Sequence, residues 1–197
     1  MRPEKHTRQA YVEAFAEIVR RIAATLVSLP PALRPIRMYV AGGAALHFYT
    51  GARVSRDVDA VFSHRITLPD DLQISYAGTD GKPTTLYFDT QYNDTLGLLH
   101  EDAREDSRPL RLPEVDARVL DVRLLSPVDL AVSKLSRWSS QDQDDVASLA
   151  RHGLVGAEAL RRRAKEALAG YIGDNSRIET TIELAVRLVE GAARGRR

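Results

Sequence analysis

The sequence contains no cysteine. That absence removes disulfides, thiolate metal ligands and cysteine nucleophiles together, and it suits a reducing compartment. No apolar run approaches the length of a membrane span, and the opening Met1-Arg-Pro-Glu-Lys-His6 lacks the apolar centre of an export signal. The cytoplasm is therefore the expected location, and no membrane is expected among the partners. A charge bias is also missing: 28 Lys and Arg stand against 27 Asp and Glu, leaving a net +1. Bulk electrostatics thus announce no polyanionic partner. Repeats, low-complexity tracts and linkers are absent as well. What remains is a chain of 197 residues, 44% hydrophobic and 28% charged, long enough for one sizeable core.

The most informative stretch runs from Met38 to Phe62. Apolar Met38 to Ala41 reads as a buried strand, Gly42-Gly43 as a turn where backbone can approach a ligand, and Ala44 to Tyr49 as a short helix. A strand that feeds a glycine turn and a helix start presents free N–H groups to an anion. Gly51 ends the helix, and Val54 to Phe62 returns as a second strand. Side chains alternate along a strand, so Ser55, Asp57 and Asp59 are expected on one face, with Val58, Ala60 and Phe62 on the other. Two carboxylates side by side on an apolar strand repel each other unless a cation lies between them. Mg²⁺ with phosphate is the usual reason to build such a pair.

Gly-Gly before a short helix, followed by Arg53-Val-Ser55-Arg-Asp57-Val-Asp59 on the next strand, resembles the active-site signature of the DNA polymerase β-like nucleotidyltransferase superfamily. Within it the chain is most similar to the AbiEii and MenT type of bacterial toxin nucleotidyltransferases and their uncharacterised relatives. The usual Gly-Ser is Gly42-Gly43 here, and the Thr often found before the Asp pair is Ser55. Both departures keep what the chemistry needs, backbone donors in the first case and a hydroxyl in the second. The resemblance implies that Asp57 and Asp59 hold two Mg²⁺ ions and that Gly42, Gly43, Arg53 and Ser55 bind the nucleotide. A third carboxylate on a neighbouring strand is common in the superfamily. Asp89, in Leu86-Tyr-Phe-Asp89, is the candidate for that third metal ligand and Asp121 its rival; the plainer reading of Asp89 is a turn residue at a strand end.

Elsewhere, Tyr11, Phe15, Ile18, Ile22 and Leu26 recur at helical spacing, predicting an amphipathic covering helix from Thr7 to Leu29 that Pro30 and Pro31 stop. Gln73 to Ala77 and Thr85 to Thr90 read as strands joined by a hairpin turn at Gly78-Thr-Asp-Gly81. Leu98 to Pro113 mixes acids, arginines and prolines and reads as an exposed excursion, with His100 a lone surface histidine. After a strand at Arg118 to Leu125, Ser126-Pro-Val-Asp129 carries cap signals for a helix from Pro127 to about Trp138.

Lys134 on that helix is a long cation among core-facing neighbours, an ordinary snorkelling lysine on its own. Yet Leu-Ser-Pro-x-Asp-Leu-x-x-x-Lys-Leu, followed by Arg137 and an Asp-rich helix start, resembles the second block of the toxin-like relatives. There the lysine contacts the triphosphate, which implies catalytic and nucleotide-binding roles for Lys134 and nucleotide binding by Arg137. Of Asp142, Asp144 and Asp145, two complement the helix dipole and the third, Asp145, supports Lys134 or Arg137. Two further helices, Ala157 to Tyr171 and Ser176 to Ala193, carry Arg161, Arg162, Arg163 and Lys165, the local basic surface that an RNA acceptor needs.

The expected fold is α/β: a small mixed sheet flanked by helices with a helical C-terminal part, in one compact unit. Residues 1–35 form the N-terminal helix, 36–126 the nucleotidyltransferase core and 127–197 the helical part. The expected reaction moves a nucleoside monophosphate from an NTP to an acceptor hydroxyl. By resemblance that acceptor is tRNA, and the protein is the toxin of a toxin–antitoxin pair with a cognate antitoxin as partner. Two alternatives stay open: a regulatory or antitoxin-like protein that modifies a partner protein or binds nucleotide without turnover, and a small-molecule adenylyltransferase.

Overall fold

The computed structural model describes residues 7–78, 81–94 and 97–195. Thr79 and Asp80 of the expected hairpin turn, and the terminal Arg196 and Arg197, lie outside them. The fold is mixed α/β, and the chain divides into two compact units, Met1–Asn93 with Ser107–Leu124 and Asp94–Asp106 with Leu125–Arg197.

The first unit is built on β1 (Ile36–Val40), whose Met38 and Val40 are fully buried. β1 runs parallel to β7 (Leu120–Leu124) on one side and antiparallel to β3 (Ala60–Phe62) on the other, and β6 (Arg108–Pro109) completes the order β3-β1-β7-β6. Asp57–Val58 (β2), Gln73–Ala77 (β4) and Pro83–Phe88 (β5) form a second sheet in the order β2-β5-β4. The apolar stripe read from Tyr11 to Leu26 is the buried face of α1 (Gln9–Leu26), which packs on β4 and β5. Phe15 meets Phe48 of α2 (Gly42–Thr50) edge to face at 5.0 Å, an arrangement that adds to the burial of both rings.

Val54 to Phe62 is expected as one strand and instead serves two sheets. The cause lies in the pleat, because successive carbonyls of a strand point to opposite edges. The Val58 carbonyl accepts the N–H of Asp89 on the β5 side at 3.1 Å, and the Asp59 carbonyl accepts the N–H of Ala41 on the β1 side at 2.8 Å. Asp59 is the residue at which the chain passes from one sheet to the other.

The second unit contains α3 (Pro127–Val132), α4 (Ser140–Arg151), α5 (Ala157–Ala169) and α6 (Ser176–Arg194), with α6 packed on both α4 and α5. The Ser126 cap forms as read, its Oγ accepting the Asp129 N–H at 3.2 Å. The helix stops at Val132, well short of Trp138. Ser133 Oγ donates to the Leu130 carbonyl, and the Lys134 and Leu135 N–H groups bond three residues back, to Ala131 and Val132, which tightens the chain into turns. A capping box at Ser139 and Asp142 then starts α4.

Candidate active site

The glycine pair opens α2 straight from the end of β1. Gly42 has φ +56°, a conformation that L side chains rarely adopt. Space forbids a side chain here as well: a Cβ on Gly42 would overlap Asp59 Oδ2 and come 2.8 Å from its Cγ. A Cβ on Gly43 would lie 2.7 Å from Ser55 Cβ and 3.0 Å from Arg53 Nη1. The Ser of the usual Gly-Ser pair would therefore collide with Ser55, which accounts for the departure at residue 43. Gly42, Gly43, Arg53, Ser55 and Asp59 are thus brought together at the N-terminus of a buried helix, with the guanidinium of Arg53 against its first turn. The first amides of the helix, its dipole and a cation combine there as a place for an anion.

Two residues that belong to no motif hold this arrangement. His47 is fully buried; its Nδ1 bonds to the Arg53 carbonyl at 2.8 Å and its Nε2 accepts the Arg8 N–H at 3.0 Å. Nδ1 therefore carries the proton, and the imidazole ties the 51–56 loop to the start of α1. Tyr11 is the second. Ser55 Oγ donates to the Asp57 carbonyl at 2.8 Å, so its single proton is used and the Tyr11 hydroxyl, 3.3 Å away, donates to it. Burial drives the Tyr11 phenol well above its ordinary range, which keeps it a neutral donor. The only trace of either role in the sequence is a polar group within an apolar stretch of helix, and by that sign Tyr11 and His47 look like ordinary core positions.

Asp57 and Asp59 are both partly exposed. Parallel pairing matches Asp57 with Tyr87 and Val58 with Phe88, so Asp89 is the next residue beside Asp59. Its Oδ1 accepts the Gln91 N–H at 2.8 Å, the turn role that was its plainer reading. Asp121 sits elsewhere, in register with Arg37 at the far end of β1, and is engaged by Arg111 at 3.0 Å and Arg123 at 3.1 Å. Placement thus favours Asp89 as the neighbour of the pair. Among the described residues, no group of three or more His, Cys, Asp or Glu side chains is arranged to hold a metal. Mg²⁺ needs fewer protein ligands than such a group supplies: one or two carboxylates are within its chemistry, the rest of its shell being filled by substrate phosphate and water.

A scan against family models matches residues 17–186 to a nucleotidyltransferase family of unknown function (DUF6036). The chain belongs to that family of nucleotidyltransferases. No curated protein and no solved structure gives a match. In this nucleotidyltransferase the match takes in the glycine turn, the Asp pair and the Lys134 block alike. No helix among the described residues is long and apolar enough to cross a membrane.

The second unit of this nucleotidyltransferase holds Lys134, Arg137 and Asp145. Lys134 is 5% exposed, with its ammonium 2.8 Å from Asp145 and 3.6 Å from Asp142. Arg137 grips Asp142 through two bonds of 2.7 and 2.8 Å. Burial pushes the Asp142 carboxyl up, but bonds from Arg137 and Ser139 and the charge of Lys134 outweigh it and hold the group well below the usual carboxylate range. Asp145 is the closer partner of Lys134; Asp142, assigned to the helix dipole, also faces the ammonium but is held mainly by Arg137 and Ser139, and Asp144 alone of the three is exposed. The basic cluster divides as well. Arg163 bonds to the fully buried Asp129 at 2.7 Å and to Asp106 at 2.7 Å, while Arg161 pairs with Glu158 and Glu183. Arg162 and Lys165 remain exposed.

Proposed function

We propose that this protein transfers a nucleoside monophosphate from an NTP to an acceptor hydroxyl and releases pyrophosphate. The observation that carries the reading is the seating of Gly42 and Gly43 against Asp59, Ser55 and Arg53 in a member of a nucleotidyltransferase family. Gly42, Gly43 and Arg53 receive the β and γ phosphates, while Ser55 fixes the backbone at Asp57. Asp57 and Asp59 would hold Mg²⁺, two ions in the full scheme, with Asp89 as the third carboxylate ligand. The metal supplies charge neutralisation at the phosphates and lowers the pKa of the attacking hydroxyl. Lys134 and Arg137 belong to the same scheme as the second nucleotide-binding block, with Asp145 fixing the lysine.

For the acceptor, the resemblance to toxin nucleotidyltransferases supports tRNA, and with it a toxin role and an antitoxin partner. The internal pairing of Arg161 and Arg163 favours a second reading, in which the acceptor is a protein or small molecule. Incubation with each labelled NTP, Mg²⁺ and total tRNA, read on a denaturing gel, separates them. Label migrating with tRNA, and lost in Asp57→Asn and Asp59→Asn, is the expected result. Label on protein alone selects the second reading, and no transfer to any acceptor overturns both.

A further inference from the structure

Asp89 also lines a cleft of the first unit whose other walls take no part in the proposed phosphate and metal chemistry. Its volume is about 550 Å³, and Phe62, Arg65, Ile66, Phe88 and Tyr92 are among its walls together with Asp89. Phe62 and Phe88 stack on each other at 5.8 Å with ring planes 29° apart, and Phe62, Ile66 and Tyr92 are only half-buried, so apolar and aromatic surface lines an open space. Polar side chains stand at its rim. The Ser63 hydroxyl accepts the Arg37 N–H at 3.0 Å and bonds to His64 Nδ1 at 2.9 Å. Either atom can be the donor in the Ser63–His64 contact, so His64 enters the rim as a hydrogen-bonding ring of either sense. Arg65 adds a guanidinium beside it.

A cleft walled by apolar and stacked aromatic side chains, with the Arg65 guanidinium and the His64 ring among its lining, matches one ligand chemistry closely. It fits a flat heterocycle that stacks and accepts hydrogen bonds along an edge. We propose that this cleft binds a nucleobase. The base belongs either to the NTP or to the terminal nucleotide of a nucleic-acid acceptor, and the inference rests on the nucleotidyl-transfer reading for its role though not for its chemistry.

The test begins with free nucleosides, which carry no phosphate and need no Mg²⁺. Titration of adenosine, guanosine, cytidine and uridine, followed by NMR shifts of Phe62 and Tyr92, should show binding of at least one in the wild type and in Asp57→Asn alike. Phe62→Leu keeps the apolar volume and removes the stacking ring; a five- to tenfold loss of that affinity is expected, about the lower range of what one stacked base contributes. Arg65→Gln, an exposed substitution that leaves the core untouched, should weaken binding in the same experiment. No nucleoside binding to the wild type, or equal binding to both variants, overturns the proposal whatever the transfer assay shows. The source of the base follows from a second arm: Phe62→Leu weakens NTP binding if the base is the nucleotide's. It raises the KM for an oligonucleotide acceptor, with NTP binding unchanged, if the base is the acceptor's. Failure of transfer in the wild type, with nucleoside binding intact, removes the catalytic reading and leaves the cleft.

Discussion

The carboxylate of Asp59 fills the space that a side chain at Gly42 would enter, so the turn and the acid that follow one another in the sequence are pressed together in the fold. Gly42→Ala must displace Asp59 while holding a left-handed backbone, which alone costs an L residue roughly 1–2 kcal/mol, or else reshape the turn. A displacement on the order of 1 Å at a reacting site lowers turnover about 100-fold. The expected outcome is that the Gly42→Ala variant folds, melts a few degrees lower and transfers at the background rate. Gly43→Ser, which restores the more usual residue of the superfamily, should lower activity as well, since Ser55 occupies its place; steady-state kinetics with labelled NTP measure both.

Lys134 has a structural role beside the nucleotide contact proposed for it, as the buried cation between Asp142 and Asp145. Its removal leaves Asp142 and Asp145 buried without their shared cation, and breaking a buried pair from one side costs about 3–5 kcal/mol. Lys134→Ala should therefore lower the denaturation midpoint strongly, and adding Asp145→Asn should recover part of the loss. Nucleotide affinity measured under conditions where the variant is still folded isolates any contact with the triphosphate. A variant of wild-type stability would refute the structural role.

Acid should act through Asp142. Its carboxyl titrates below the range it has in the unfolded chain, about 3.9 in model peptides, so its contribution is fully present above that range. Stability is lost as pH falls from there towards the lower folded value. Arg137→Gln removes the two bonds that do most to hold the group down, so its melting temperature should depend less on pH below about 4 than that of the wild type. Thermal melts from neutral to strongly acid pH give the comparison.

An RNA-binding test must respect the pairing of the arginines. Arg163→Gln strips the partner from the buried Asp129 and should destabilise the second unit, so weaker RNA binding in that variant says nothing about contact. Arg162→Gln with Lys165→Gln leaves those pairs intact. If both touch RNA, the slope of log affinity against log salt should fall by roughly 0.7 to 0.9 per lost contact. An unchanged slope removes α5 from the RNA-binding surface.

Periodicity made the core of the first unit legible: the stripe from Tyr11 to Leu26 and the run at Met38 to Ala41 are buried as their spacing required. The approach of Gly42 to Asp59 was legible only as a motif, because nothing in the spacing says which side chain faces which glycine. Other features were not legible at all. Whether Val54 to Phe62 serves one sheet or two depends on what lies at each edge, and the helix after Pro127 ends where the Lys134 and Leu135 N–H groups turn back three residues, which spacing does not mark. Arg161, Arg162 and Arg163 are alike in sequence and unlike in place, since acids distant along the chain, Asp129 and Glu183, decide which of them stays available to solvent.

The crossing of the chain between sheets at Asp59 gives the two acids separate anchors. Asp57 takes its position from β5, and through it from the β4–β5 hairpin; Asp59 takes its position from β1 and the glycine turn. Their spacing works like a caliper with its two jaws on different frames. Changes in the hairpin shift one jaw and changes along β1 shift the other, so the gap can be adjusted by substitutions that touch neither carboxylate.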